Sequence, residues 1–365
     1  MIRKIFNKDK LKARCKALWL KTRSGFKKAK VALKKGGKKV INYPGFGLII
    51  TIIVLLSLLG GFDGEGFYSW DKFSLLLSSN APYTLLAVGI MCVLLTGGID
   101  ISVGSTLALS ACITSKLAVN NPGVPVFFWV VLAIIVGAFC GLINGCLVGK
   151  LKIAPMIATL GTMFAYRGLS YIVTNGKWYV GDDFNKVPSF SLIGKCEILG
   201  LYSSTWIAIL VLILITIFLA LTRPGRRLYA IGTNEESAKL SGINTANVKI
   251  LAYTICGALA GLAGIIFASV EREVYSEIGI NYEMTAIAIC VIGGVANTGG
   301  KGRVDTLILG ILFMIFLSRL LAVWSQMAMF EELIKGLIIL IAVTINIAND
   351  LIRKRREVLE MGRRL

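Results

Sequence analysis

Long apolar runs separated by short polar connections dominate the chain from about residue 46 onward. A helix needs about 20 mostly apolar residues to cross a bilayer, and ten runs suit this role. They cover residues 46–61, 74–96, 103–120, 126–149, 154–174, 204–222, 249–270, 283–296, 304–324 and 332–351. The pattern predicts an all-α polytopic membrane protein with about ten transmembrane helices.

The composition agrees with a membrane protein and excludes much enzymology. Of the 365 residues 56% are hydrophobic and 16% are charged, which is not a soluble composition. The chain has no histidine, so imidazole bases, Ser-His-Asp triads and histidine metal sites are absent. Its cysteines form no C-x-x-C pair. We therefore expect no catalytic residue and no metal site.

Positive charge is concentrated at the start of the chain, where residues 1–40 carry 16 of the 40 Lys and Arg and a single acid. We interpret residues 1–42 as a basic cytoplasmic arm, either an amphipathic helix on an anionic leaflet or a disordered tail. Nucleic-acid binding is a weaker hypothesis, because the bases lie beside long apolar runs. Residues 43–352 form the transmembrane domain, and residues 353–365 a basic cytoplasmic tail.

The loop charges predict the orientation of the chain. With ten spans, 31 Lys and Arg fall on one side and five on the other, while four lie within or at the ends of spans. Because basic loops stay in the cytoplasm, both termini are expected to be cytoplasmic in a multi-pass protein of the plasma membrane.

Two motifs indicate specialised helix geometry. Four glycines at a spacing of four leave one face of the fourth span almost bare, which predicts close packing or a pivot: Gly137, Gly141, Gly145 and Gly149. The sequence TGGIDISVGS at 96–105 predicts a helix break followed by a capped helix start. Within it, Asp100 and Ser102 act as a cap or as part of a moving gate.

Polar residues inside the fifth span are candidates for a transport pathway. Arg167 is an ionisable group within an apolar run, and such groups are costly in a membrane. With Thr159, Thr162 and Ser170 it is able to hydrogen-bond a hydroxylated solute; snorkelling of Arg167 to the outer interface is the alternative.

The loop at 223–248 is polar and carries a predicted short helix. Asn234 is its N-cap, two glutamates occupy the first turn, and glycine ends it. We interpret this helix as a docking element for a partner, with a solvated loop helix as the alternative, on the residues Asn234, Glu235, Glu236, Ser237, Lys239 and Gly242. The glycine-rich run VIGGVANTGGKGR at 291–303 lacks the P-loop spacing, so the chain is not expected to hydrolyse nucleotide itself.

Four motifs in order resemble the permease subunits of bacterial ATP-binding-cassette importers for monosaccharides, of the ribose, galactose and xylose type. They are TGGIDISVGS, the run at 154–176, LYAIGTNEESAKLSGIN at 228–244 and INYEMTAIAICVIGGVANTGGKG at 280–302. The resemblance covers roughly residues 74–347. One departure is Thr285, where members usually carry an acid.

The resemblance implies a B12-importer-like permease fold with an inverted repeat, in which 234–242 is the coupling helix. It implies three kinds of partner: ATPase subunits that carry ATP and Mg²⁺, an extracytoplasmic sugar-binding protein, and a second, identical or different, permease chain. No cofactor is then expected on this chain, and sugar enters by alternating access. Nucleoside import and an ion-coupled carrier are the alternatives.

Overall fold

A computed structural model of the chain describes residues 45–62, 69–323, 330, 333–337, 340 and 344. The basic arm, the basic tail and most of the predicted span at 332–351 lie outside these residues. The chain divides into two units, residues 1–50 and 51–365. Of the first unit only residues 45–50 are described, at the beginning of α1.

The described residues are almost entirely helical, with one two-stranded hairpin. In that hairpin β1 (Glu197–Ile198) runs antiparallel to β2 (Leu201–Tyr202). The helices are α1 (Phe46–Phe62), α2 (Trp70–Ser79), α3 (Ala81–Leu95), α4 (Val103–Asn120), α5 (Val126–Gly149), α6 (Pro155–Thr174), α7 (Gly181–Asn185), α8 (Ser191–Gly194), α9 (Ser203–Leu221), α10 (Arg223–Thr233), α11 (Glu235–Leu240), α12 (Thr245–Glu271), α13 (Tyr282–Ile292) and α14 (Val304–Val323).

The predicted fold class, a polytopic helical membrane protein, is confirmed. In the described part of the chain α5, α9, α12 and α14 are long and apolar enough to cross a bilayer. The pair α2 and α3 would be a fifth such span, bent by 45°. The count of ten spans stays a prediction.

The predicted single span at 74–96 is two helices, and the first begins earlier, at Trp70. The bend coincides with Asn80 and with Pro82 in the first turn of α3, because proline lacks the N–H that a continuous helix needs. Asn80 donates from Nδ2 to the Leu76 carbonyl at 2.8 Å and so satisfies part of the exposed end of α2. The bend is therefore encoded in the sequence by Asn80 and Pro82.

The core is organised around α12, which packs against α3, α4 and α5. All residues of α3 except Tyr83 are buried, as expected for a helix that is apolar on every side. The Ser110 hydroxyl of α4 lies 3.1 Å from both the Ala133 carbonyl of α5 and the Gly261 carbonyl of α12. This fully buried hydroxyl therefore joins three helices.

The predicted glycine face of α5 lies directly against α12. A Cβ added at Gly137 would lie 2.7 Å from the Gly261 Cα, and one at Gly145 would lie 2.7 Å from the Ile250 Cα. The contact is reciprocal, since a Cβ at Gly257 would lie 2.7 Å from the Gly141 Cα. Side chains are thus excluded along this contact, and the two backbones pack on each other.

We predict that Gly141→Leu separates α5 from α12, because even its Cβ would collide with the Tyr253 carbonyl oxygen and lie 3.0 Å from the Thr254 Cα. Overpacking of this kind costs about 1–3 kcal/mol or more. The measurement is the unfolding temperature and monodispersity of the purified protein in detergent. Gly161→Leu is the matched control, since a Cβ at Gly161 meets nothing within 4 Å. Equal behaviour of the two variants would contradict tight packing.

Candidate functional site

The break between α3 and α4, residues 96–102, is held by a buried carboxylate. Gly97 adopts a left-handed φ of +77°, which reverses the chain after α3. Asp100 is 1% exposed, and its Oδ1 accepts hydrogen bonds from the Ser102 backbone N–H (2.9 Å) and hydroxyl (2.7 Å). Ser102 occupies the N-cap position of α4 but makes no side-chain cap. Asp100 therefore closes a turn ahead of the helix, which differs from the predicted cap.

Buried polar side chains connect this break to three other helices. From α5, Asn144 Nδ2 donates to the Ser102 hydroxyl at 2.7 Å and lies 3.5 Å from both Asp100 carboxylate oxygens. From α6, the Tyr166 hydroxyl lies 3.4 Å from Asn144 Oδ1, and from α12 the Tyr253 hydroxyl donates to the Ile99 carbonyl at 3.1 Å. We call these residues the polar cluster: Asp100, Ser102, Asn144, Tyr166 and Tyr253.

The polar cluster is neutral apart from Asp100 itself. No Lys or Arg among the described residues lies within ion-pair distance of its carboxylate. Buried carboxylates are tolerated when hydrogen bonds replace their lost hydration. The sequence predicted Asp100 and Ser102 at the break, but it gave no indication that Asn144, Tyr166 and Tyr253 lie beside them.

The hydroxyl candidates of α6 lie on its buried face. Thr159 and Ser170 are fully buried and Thr162 is 9% exposed, and α6 packs against α4. Each hydroxyl donates to a carbonyl of its own helix: Thr159 to Pro155 (2.8 Å), Thr162 to Thr159 (3.2 Å) and Ser170 to Tyr166 (2.9 Å). In this conformation they face a helix–helix contact, so the structure does not gather them around an open path.

Arg167 binds backbone carbonyls of the connection between α12 and α13, which approaches the start of α4. Its Nη1 donates to the carbonyl oxygens of Ser276 (2.8 Å) and Ile278 (2.6 Å), both in the connection between α12 and α13. Glu283, at the start of α13, is 8% exposed, and a Cβ at Gly104 would lie 2.6 Å from its Oε2. The guanidinium thus fixes the connection between α12 and α13, which neither of the two sequence interpretations anticipated.

The predicted helix in the polar loop is confirmed as α11. Asn234 is its N-cap, and its side chain accepts the Ser237 N–H at 2.9 Å. Gly242, with a φ of +78°, ends the helix. Glu235 joins α11 to α12 through an ion pair with Lys249 (2.8 Å) and also pairs with Lys239 (3.3 Å). The hydrogen bond from Lys249 is the main cause of a lowered pKa of the Glu235 carboxyl, so Glu235 is ionised at neutral pH.

The outer surface of α11 exposes one large apolar side chain among polar ones. Ala238 is 4% exposed and anchors the helix, whereas Leu240, two residues later, is 90% exposed. Glu236, Ser237 and Lys239 are also exposed. Leu240 is therefore available for an apolar contact with another protein. Leu240 was missed because composition does not distinguish it from a buried leucine.

Three glycines place the polar loop at 223–248 in backbone contact with the helix break. A Cβ at Gly299 would lie 2.8 Å from the Gly97 nitrogen and 2.9 Å from the Gly232 Cα. Beside them the Gly300 N–H donates to the Leu95 carbonyl at 3.0 Å, at the end of α3. We call Gly97, Gly232 and Gly299 the glycine junction. It joins α10, the break and the turn at 293–303.

These features define a helical membrane protein, and the comparisons give its family. The chain belongs to the family described as permease components of branched-chain amino acid transport systems, whose model matches residues 73–343. It is 33% identical to the ribose import permease protein RbsC of Haemophilus influenzae, over 84% of this chain and 93% of the relative, and 36% identical to RbsC of Bacillus subtilis, over 83% and 91%.

A second group of relatives has a different printed function. The chain is 35% identical to the autoinducer 2 import system permease protein LsrC of Salmonella typhi, over 80% of this chain and 82% of the relative. No solved structure matches the chain significantly. The resemblance drawn from the four motifs is confirmed by these relatives, and with the apolar helices it assigns the protein to a membrane.

We predict that Gly299→Ala destabilises the protein more than Gly294→Ala does. Both glycines have a left-handed φ, +87° and +77°, so alanine suffers a similar conformational cost at each. Only Gly299 is enclosed; a Cβ at Gly294 meets nothing within 4 Å. The unfolding temperatures of the two variants in detergent measure the difference, and equal losses would show that the glycine junction is not tightly packed.

Proposed function

We propose that this chain is the membrane-spanning permease subunit of an ATP-driven importer that carries a monosaccharide of the ribose type into the cytoplasm. The observation that carries the proposal is the 33–36% identity to ribose import permeases over more than four fifths of the chain. The chain itself binds no cofactor. ATP and Mg²⁺ bind to partner ATPase subunits, an extracytoplasmic binding protein delivers the sugar, and a second permease chain completes the path.

In this proposal α11 seats in the ATPase subunit, and its movement reaches the break between α3 and α4 by contact. The ion pair of Glu235 with Lys249 ties α11 to the start of α12. On the other side α10 leads to the glycine junction, where Gly232 lies against Gly299. Backbone contacts without intervening side chains transmit displacement with little loss, because there is no rotamer to adjust. Asp100 and Ser102 then act at a gate.

The proposed pathway on α6 requires a second conformation. Thr159, Thr162 and Ser170 would line the path only after α6 moves away from α4, which is the kind of rigid-body change that alternating access uses. Arg167 holds the connection between α12 and α13 through its two carbonyl partners and would release or carry that connection during the same change.

The orientation belongs to the proposal as well. We infer from its many bases that the polar loop at 223–248, which contains α11, lies in the cytoplasm. Both termini lie on the same side, and the membrane is the bacterial inner membrane. Import of autoinducer 2 is the second candidate function, favoured by the 35% identity to LsrC. The relatives favour both over import of nucleosides and over an ion-coupled carrier.

The test is reconstitution with the chain's own partners. The chain is purified gently, its co-eluting proteins are identified, and the assembly is placed in liposomes with ATP inside. Uptake of labelled ribose that requires both ATP and the binding protein supports the proposal, and uptake of autoinducer 2 alone selects the second candidate. Uptake by the isolated chain without ATP would overturn both.

We predict that Leu240→Asp weakens association with the ATPase subunit about tenfold or more and abolishes uptake. The side chain is 90% exposed, so the fold has no reason to change, whereas an apolar contact is lost. The measurement is the amount of ATPase that co-purifies, together with uptake. Leu199→Asp is the matched control, because Leu199 is 87% exposed in the turn between β1 and β2. Undiminished association of Leu240→Asp would remove the docking assignment.

A further inference from the structure

A cavity of about 540 Å³ lies where the end of α9, the start of α10 and the start of α14 meet. Its walls are largely apolar: Leu219 and Ala220 come from α9, and Val304 from α14. Its rim is cationic, with Arg226 of α10 on one side and Arg303 on the other. None of the contacts assigned above to docking or gating uses this space.

The sequence around the rim is strongly basic. The α10 end, RPGRR at 223–227, has three arginines and no acid, and KGRVD at 301–305 adds two bases and one acid. That acid, Asp305, is paired with Arg303 through two contacts of 2.9 and 2.7 Å. Arg226 donates from Nη1 to the Leu221 carbonyl at 3.1 Å, which orients the guanidinium and leaves its other N–H groups for an acceptor.

Apolar side chains continue from the cavity along the two spanning helices. On α9, Ile213, Ile217 and Leu221 are 52%, 46% and 72% exposed, and on α14 Ile308 is 37% exposed. Both helices are apolar enough to cross a bilayer. A ligand held at the rim thus has hydrocarbon-compatible surface beneath it, which a soluble anion would not use and which a docked protein would cover only by entering the bilayer.

We propose that this cavity binds an anionic phospholipid, whose phosphate is held by Arg226 and whose acyl chain lies along α9 and α14. Basic pockets between spanning helices bind acidic headgroups in this manner. Because Tyr229 lines the cavity and its hydroxyl donates to the Gly302 carbonyl at 3.1 Å, the lipid would contact both α10 and the turn at 293–303. Lipid composition would then affect the same elements that form the glycine junction.

The test uses the delipidated full-length chain and measures binding of phosphatidylglycerol and phosphatidylcholine by native mass spectrometry. We expect at least one phosphatidylglycerol to be retained that phosphatidylcholine does not replace. Arg226→Gln should weaken this binding about fivefold, the effect of one base near an anionic surface, while Arg226→Lys keeps most of it. Lys150→Gln, which removes an exposed base elsewhere on the same predicted side, is the matched control.

A second variant tests the apolar part without touching the charge. Ala220→Trp, on an exposed wall position, should fill the groove and displace the lipid, and its unfolding temperature should stay within a few degrees of the wild type. Equal binding of the two lipids, or equal loss in Arg226→Gln and Lys150→Gln, would overturn the proposal. Displacement of the lipid by equimolar glycerol phosphate would show a free-phosphate site, and displacement by the partner ATPase would show a protein contact; either result overturns it.

Discussion

The backbone contact between α5 and α12 is the constraint on which the rest of the structure depends. In a bilayer the hydrophobic effect does not draw helices together, so association rests on van der Waals contact and on hydrogen bonds. Gly137, Gly141 and Gly145 provide that contact because they carry no side chain and let the α12 backbone approach. With 27 residues α12 is about 40 Å long and runs from the polar loop at 223–248 to the connection that leads to α13. Whatever moves α12 must therefore move α5 with it.

Against this rigid pair the break between α3 and α4 is the place where the chain changes direction. Gly97 supplies the left-handed backbone, and Gly232 and Gly299 approach it closely because none of the three carries a side chain. Glycine thus has two roles in the proposed mechanism. Along α5 it lets two helices pack into one rigid body, and at the glycine junction it lets the polar loop at 223–248 contact the break. The presence of glycine alone does not predict which of these two roles it has. The role depends on how many helices meet at the glycine.

Sequence reasoning identified the elements whose cause is local. The helix Glu235–Leu240 was predicted because Asn234, the acidic first turn and Gly242 act within a few residues of each other. The bend at Asn80 was missed although Pro82 was visible, since an apolar run hides a break when hydropathy alone is counted. The contacts of Asp100 with Asn144 and of Arg167 with Ser276 join residues far apart in the chain, and no local pattern encodes such pairings.

The buried carboxylate at the break also has an explanation that does not need a substrate. At a helix break the Ser102 N–H has no carbonyl four residues earlier to accept it, and leaving a buried donor unsatisfied costs about 1–3 kcal/mol. Asp100 accepts this N–H and the Ser102 hydroxyl with one oxygen, and Asn144 approaches both of its oxygens. Hydrogen bonds therefore hold the break in a defined conformation. Any rotation at Gly97 must either carry α5 and α12 along or exchange these hydrogen bonds for others.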